Sequence, residues 1–325
     1  MQRVKDVYIR GLSRTYRFGN RILGRRGLYK VWPFGQVYDW MSNTLHSHQW
    51  PEVIDVDGHK VHAPNVLRHG LTTFKGKARE LEFMLFKKEI PSGGTVVDVG
   101  ANIGNYTLVF ARAVGPEGRV FAFEPESINL GYSRKNIELN GYRNVEVIPL
   151  ALGAKKGKLP LFISKNNPGG HQLYDVVAIL KEKMRRGMAL SEDEQQLLSE
   201  HETEMDAPVV VDVVSLDEHF AKSKIPIDLI KIDVEGAEGS VIAGMGGVIK
   251  RSPKLKLFFE FWPAGMRAFG TDPKVFLETL ADYGFVFFDL ENFTRYQDRP
   301  EKMGIDDILR RHTHNSSANI FASRG

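Results

Sequence analysis

Four residues in the stretch T-V-V-D-V-G-A-N-I-G-N (Thr95 to Asn105) are of types that hold ligands: Asp98, Gly100, Asn102 and Gly104. Glycines allow positive φ and a close approach of the backbone, and the helix start near Asn105 offers N–H groups to polar or anionic groups. The spacing departs from G-x-G-x-x-G, whose second glycine admits a pyrophosphate, because Asn102 stands where that glycine would be. A pyrophosphate would be crowded, whereas a smaller group with an amine and a carboxylate would not. Glu124 closes the next apolar run, Arg119 to Phe123, and a carboxylate at such a strand tip holds a nucleoside ribose through its hydroxyls. Lys231, Asp233 and Glu235 end a later run that starts at Ile227, and Glu260 lies near the end of Lys254 to Phe261.

The elements that must position these groups alternate. A short, wholly apolar strand reads as central and parallel, covered by helices on both faces. Strands are expected at Thr95 to Val99, Arg119 to Glu124, Val145 to Leu150, Ile227 to Asp233, Lys254 to Phe261, Phe285 to Leu290 and Asn319 to Ser323, seven in all. Helices are expected at Ala78 to Ile90, Asn105 to Val114, Ser127 to Leu139, Ala237 to Ile249 and Pro273 to Tyr283. Successive βα units imply a parallel sheet with right-handed crossovers, whose ligand lies outside the carboxyl ends of the strands. After Gly153 the rhythm breaks. Leu159 to Ser164 and Pro208 to Leu216 read as paired strands around an excursion, about 164–208, that suits a lid and brings in His171, a base candidate with a near-neutral reference pKa.

The stretches V-V-D-V-G-A-N-I-G-N-Y-T (Val96 to Thr107), V-F-A-F-E-P (Val120 to Pro125), N-I-E-L-N-G (Asn136 to Gly141), L-A-L-G (Leu150 to Gly153) and D-L-I-K-I-D-V-E-G-A-E (Asp228 to Glu238) follow one another in this order. Together they resemble the FkbM family of S-adenosylmethionine-dependent methyltransferases over about Glu80 to Leu290. The resemblance implies a class I methyltransferase fold: α/β, Rossmann-like, a seven-stranded, mostly parallel sheet with helices on both faces, here with an N-terminal extension and an inserted lid. It implies S-adenosylmethionine as cofactor, held by Asp98, Gly100, Asn102, Gly104, Asn105, Glu124, Pro125 and Ala151. In such families a glutamate just upstream of the first strand faces the methionine end, a place that fits Glu80 or its neighbour Glu82. The implied reaction is methyl transfer, usually to a hydroxyl of a sugar, glycolipid or natural product. Such a transfer is an in-line displacement needing the oxygen about 3 Å from the methyl carbon and a group to take its proton. Asp233 is the first choice for that role, with Lys231, Glu235 and His171 behind it.

Composition bounds the alternatives. A chain of 325 residues, 42% hydrophobic, can bury one large core. With no cysteine there is neither a disulfide framework nor a thiolate metal site. No apolar run is long enough to span a bilayer and no apolar export core opens the chain, so a cytoplasmic place is expected. Residues 1 to 30 carry nine Lys or Arg against one acid, a local +8 that leaves −4 for the rest of a chain whose total is +4. A basic leader on an acidic body argues against a nucleic-acid groove. The leader, 1–50, interleaves cations with aromatics, which suits packing on the body or a second subunit, or the inner face of a membrane or a lipid-linked acceptor. Residues 51–90 read as a hairpin, with an Asp57-Gly58 turn and surface histidines at His59 and His62, followed by a helix into the domain at 91–325. His46 and His48 lack a third ligand, and no metal is assigned.

Two other readings are kept: a nicotinamide-dependent oxidoreductase, disfavoured by the missing middle glycine, and a non-catalytic cofactor-binding partner. Calorimetric titration tests the first. S-adenosylhomocysteine is expected to bind at micromolar concentration and NAD not to bind; the reverse would overturn the roles given to Asp98 and Glu124.

Overall fold

The computed structural model describes residues 51–64, 67, 71, 77–164, 171–190, 195, 198, 207–290, 302–312 and 317–324. The readings placed on the leader, on His46 and His48, and on the side chain of Glu80 lie outside them. Two compact units divide at Met1–Gly76 and Lys77–Gly325, so the hairpin and the helix grouped at 51–90 fall in different units.

In the first unit β1 (Val53–Val56) and β2 (His59–His62) pair antiparallel through Asp57 and Gly58, both with positive φ, as a two-residue turn of the primed type requires. His59 is buried and not on the surface as expected. Alternation along β2 puts it on the face of buried Val61, while Lys60 points outward.

The second unit begins with α1 (Lys77–Glu89), then β3 (Thr95–Val99), α2 (Asn105–Val114), β4 (Arg119–Phe123), α3 (Ser127–Leu139) and β5 (Val145–Ile148). Three short strands follow, β6 (Ala151–Leu152), β7 (Gly157–Leu161) and, after α4 (Val176–Arg185), β8 (Val209–Val214). The chain returns through α5 (Leu216–His219) to β9 (Leu229–Ile232), then α6 (Glu238–Ala243), α7 (Gly246–Arg251), β10 (Lys256–Phe261), α8 (Pro263–Ala268), α9 (Pro273–Asp282), β11 (Phe285–Asp289), β12 (Lys302–Met303), α10 (Ile305–Arg311) and β13 (Ala318–Arg324).

The main sheet has the order β12-β11-β13-β10-β9-β3-β4-β5. The pairs from β10 to β5 are parallel, and β13 runs antiparallel to both β10 and β11. The seven expected strands are all present, and the sheet has eight because β12, two residues long, caps the β11 edge; so short a strand leaves no periodic signal. The expected pair around the insertion is β7 with β8, joined by β6 into a separate three-stranded sheet. The single helix expected at 237–249 is two, α6 and α7. Between them Gly244 lies so close to the backbone of Gly153 that a Cβ would stand 2.1 Å from its carbonyl oxygen.

Every residue of β3 and β9 is buried, as central parallel strands require. Alternation divides them between two cores. Val97, Val99, Ile230, Ile232, Leu257 and Phe259 face α6, α7 and α9; Val96, Leu229 and Phe258 face α1 and α2. On the second face Phe86 of α1 meets Phe258 edge-on at 4.8 Å and Phe110 at 5.0 Å, and Tyr106 lies 6.1 Å from Phe258. This aromatic layer is the floor beneath the carboxyl ends of β3, β9 and β10. Truncating a buried aromatic forfeits its transfer energy and leaves a cavity, so Phe258→Ala is expected to lower unfolding stability by about 3–5 kcal/mol in urea titration; a loss below about 1 kcal/mol would show that the layer repacks.

Candidate active site

From β3 the chain runs outward to β4 and β5, then returns to place β9 on the other side of β3. Strand order reverses between β3 and β9, the place where an open α/β sheet forms a crevice at its carboxyl end. The turn leaving β3 there has positive φ at Gly100 (73°), Asn102 (52°) and Gly104 (87°). Gly100 is pressed against the neighbouring strand's exit: a Cβ would lie 2.0 Å from the carbonyl oxygen of Asp233. Gly104 admits Ser133 of α3, whose hydroxyl would be 2.9 Å from a Cβ there. The turn satisfies its own donors. Gly100 and Ala101 N–H donate to the Phe123 carbonyl, Gly104 N–H to that of Ala101, Asn102 N–H to Glu124 Oε2 at 2.7 Å, and Ile103 N–H to Asn102 Oδ1. Beyond it the start of α2 at Asn105 has no side-chain cap, so its backbone N–H groups face the crevice without one.

Glu124 is buried at the tip of β4 and also accepts from Glu126 N–H at 2.8 Å. Burial pushes its carboxyl up to about 7, against the two N–H groups that favour the charged form. Each oxygen keeps a second lone pair for a ribose hydroxyl. Pro125 follows half-buried, and Ala151 is buried on β6. Glu126 caps α3 by accepting from Ile128 and Asn129 N–H.

A polar column stands on the aromatic floor. Val96 and Asp98 on β3, Leu229 and Lys231 on β9, and Phe258 and Glu260 on β10 continue the same alternation, and register puts Asp98 beside Lys231. Asp98 is fully buried; its Oδ2 accepts from Thr107 Oγ1 at 2.6 Å and its Oδ1 lies 3.4 Å from Lys231 Nζ. Asp233, two residues beyond Lys231, lies 3.3 Å from the same nitrogen with its side chain 40% exposed, so it is the member of this ion-paired group that an incoming molecule can reach. Oxygens of Asp233, Glu235 and Glu260 lie within 4.8 Å of one another. Such crowding also suits a divalent ion, but acidic clusters commonly occur without one. Burial raises the Glu235 carboxyl well above the usual range, reinforced by Glu260 and Asp233, and raises Glu260 to about 8, reinforced by Asp233 and Glu238. Glu238, fully buried, accepts from Val234 and Gly236 N–H and pins the bend between these acids; burial takes it to about 7.

His171 stands elsewhere. Its Nδ1 accepts from Ser164 N–H at 3.1 Å, which places the ring proton on Nε2 and occupies the nitrogen that a base would use. Burial lowers its pKa, and the charge acting on it is that of Glu126, two residues beyond Glu124. In this geometry His171 therefore offers its Nε2–H as a donor. The insertion instead brings Tyr174 to the acids. Its hydroxyl contacts the Gly265 carbonyl at 3.4 Å, and its pKa is raised by burial, then by Glu238, Glu235 and Glu260. Upstream of β3, buried Glu82 reaches the site and accepts from Tyr106 Oη at 2.8 Å and Asn319 Nδ2 at 2.7 Å. Its signal was its position four residues before Phe86, on the inward face of α1; Tyr174 had none.

The raised carboxyls set a pH dependence. Unfolded glutamates release their protons near 4.5, whereas Glu124 and Glu238 do so at about 7 and Glu260 at about 8. From about 6.5 to 8 the folded, ligand-free protein therefore binds more protons than the unfolded chain and loses stability as pH rises. His171 and His219, lowered by burial, act in the opposite sense only below about 6.5. The thermal midpoint should fall between about pH 6.5 and 8.5, and Glu260→Gln should flatten that slope; a midpoint rising across this range contradicts the assignment.

The methyltransferase FkbM domain family matches residues 98–287. Over 191 residues the chain is 27% identical to Methyltransferase 1 of Beauveria bassiana, covering 55% of this chain and 74% of that protein. It is 28% identical over 152 residues to 2-O-methyltransferase NoeI of Sinorhizobium fredii, covering 46% of this chain and 56% of that protein. The solved precorrin-6Y C5,15-methyltransferase of Geobacter metallireducens aligns with a TM-score of 0.40 at 14% identity, covering 85% of this chain and 100% of that one. A compact left-handed turn at the strand switch, a ribose-type carboxylate and an acidic crevice around a cationic centre fit S-adenosylmethionine. With the family matched over more than half its length, the chain belongs to the FkbM methyltransferases and is an S-adenosylmethionine-dependent enzyme of class I fold.

Proposed function

We propose that the methyl group goes to a hydroxyl oxygen of a sugar, glycolipid or similar polyhydroxylated acceptor, and that Asp233 orients and deprotonates that hydroxyl. The observation that carries the reading is the part-exposed Asp233 carboxylate at the strand switch, anchored from beneath by a buried ammonium. S-adenosylmethionine, which the Gly100 to Asn105 turn and Glu124 would hold, would supply a methyl carbon open to attack, the S–C bonding pair staying with sulfur. Asp233 accepts the hydroxyl proton as the new O–C bond forms, and its exposed edge passes the proton to water. Glu235 and Glu260, beside it, offer oxygens that accept from neighbouring hydroxyls of a polyol. The name of the 2-O-methyltransferase relative supports oxygen as the target.

The test incubates the protein with S-adenosylmethionine and a panel of glycosides and glycolipids, following S-adenosylhomocysteine release and identifying the product by mass spectrometry and NMR. A methyl ether is expected; an N-methyl or C-methyl product would overturn the reading. In Asp233→Asn, kcat should fall about 10²–10⁴-fold, the usual contribution of a positioned base, with S-adenosylhomocysteine affinity within about threefold. Unchanged turnover would remove the role from Asp233.

A further inference from the structure

One side chain joins the cofactor turn to the acceptor carboxylate. Lys231 Nζ donates to the Gly100 carbonyl at 3.0 Å, stands 3.3 Å from Asp233 Oδ2 and 3.4 Å from Asp98 Oδ1, and lies 5.1 Å from the centre of the Tyr106 ring. Lysine ordinarily keeps its ammonium in water, yet this residue is 2% exposed. Burial alone would pull its pKa down; Asp233 and Asp98 outweigh it and leave the pKa raised, so the group is a cation throughout the working range. Carboxylates act on it from four directions: Asp98 of β3, Glu124 at the end of β4, Asp233 and Glu235 after β9, and Glu260 of β10. Of these, Asp98 and Asp233 are in ion-pair contact.

We infer that Lys231 is a positioning residue that couples the two halves of the site, fixing the Asp233 carboxylate relative to the Gly100 turn so that cofactor seating and acceptor presentation are one event. The ammonium bonds to both turns at once. A second fixed point reinforces it, since Gly100 and the Asp233 backbone approach too closely for any side chain between them. A shift of either turn is therefore transmitted to the other, with Asp98 and the Tyr106 ring holding the ammonium from the remaining sides. The inference rests on the proposed role of Asp233 only where turnover is concerned.

The test compares wild type, Lys231→Met, Asp233→Asn and the double variant. Charge-assisted bonds of this kind are strong, so Lys231→Met should weaken S-adenosylhomocysteine binding about tenfold or more in calorimetry. It should lower kcat about 100-fold, and the double variant should be no slower than Asp233→Asn alone, because without the carboxylate the ammonium has nothing to align. Additive losses, or normal affinity and turnover in Lys231→Met, overturn the inference. Should Lys231→Met fail to fold, hydrogen exchange on wild type decides. S-adenosylhomocysteine should then slow exchange in the bend 233–238 as well as in the turn 100–105; protection confined to the turn overturns the coupling. Binding and exchange need no acceptor, so a wrong acceptor class leaves both readouts intact.

Discussion

An ammonium group taken out of water must be compensated where it stands, since the effective penalty is several kcal/mol per ion. Lys231 meets that requirement with Asp98 on one neighbouring strand, Asp233 just beyond the end of its own and the Gly100 carbonyl. The compensation works only if β3 and β9 are adjacent, parallel and in the observed register, with Asp98 opposite Lys231. A slip of one residue would turn Asp98 into the opposite, apolar core and leave the lysine alone. The same pairing creates the strand switch, so the interaction that locks the register also builds the crevice.

The site remains short of positive charge. One lysine stands among Asp98, Asp233, Glu124, Glu235 and Glu260, with Glu238 beneath, and burial raises four of these carboxyls. Without ligand, the field is relieved by taking up protons. S-adenosylmethionine is a cation at sulfur, and a cation entering this field favours ionised carboxylates.

The described part of the insertion forms a wall beside the acids. Its helix α4 lays Val176 and Leu180, with Tyr174 just ahead, against Trp262 and Ala264 at the exit of β10. This apolar docking fixes Tyr174 beside the acids and holds its hydroxyl close to Gly236 and Gly265. At the insertion's start the antiparallel bridge between Phe162 and Gln172 fixes the backbone next to His171. One excursion therefore supplies two polar groups, His171 and Tyr174, from positions three residues apart.

The amino-acid order by itself determined the βα alternation, the left-handed turn at Gly100 to Gly104, the strand-tip positions of Glu124, Asp233 and Glu260, and membership of the family. These are local properties: apolar runs of strand length, glycines where φ must be positive, and acids at the ends of runs. Boundaries at Asn105, Val114, Ser127 and Leu139 were legible for the same reason, because turns and glycines bracket those helices. What joins distant segments was decided only in three dimensions. The pairing of Asp98 with Lys231 depends on strand register; Glu82 reaches Tyr106 and Asn319 because α1 crosses the sheet; the proton of His171 is fixed by a backbone N–H seven residues away; and Tyr174 meets the acids through helix docking. Apart from the His171 contact, which closes within one loop, these contacts are set by packing between elements far apart in the chain, and no spacing within one segment encodes them.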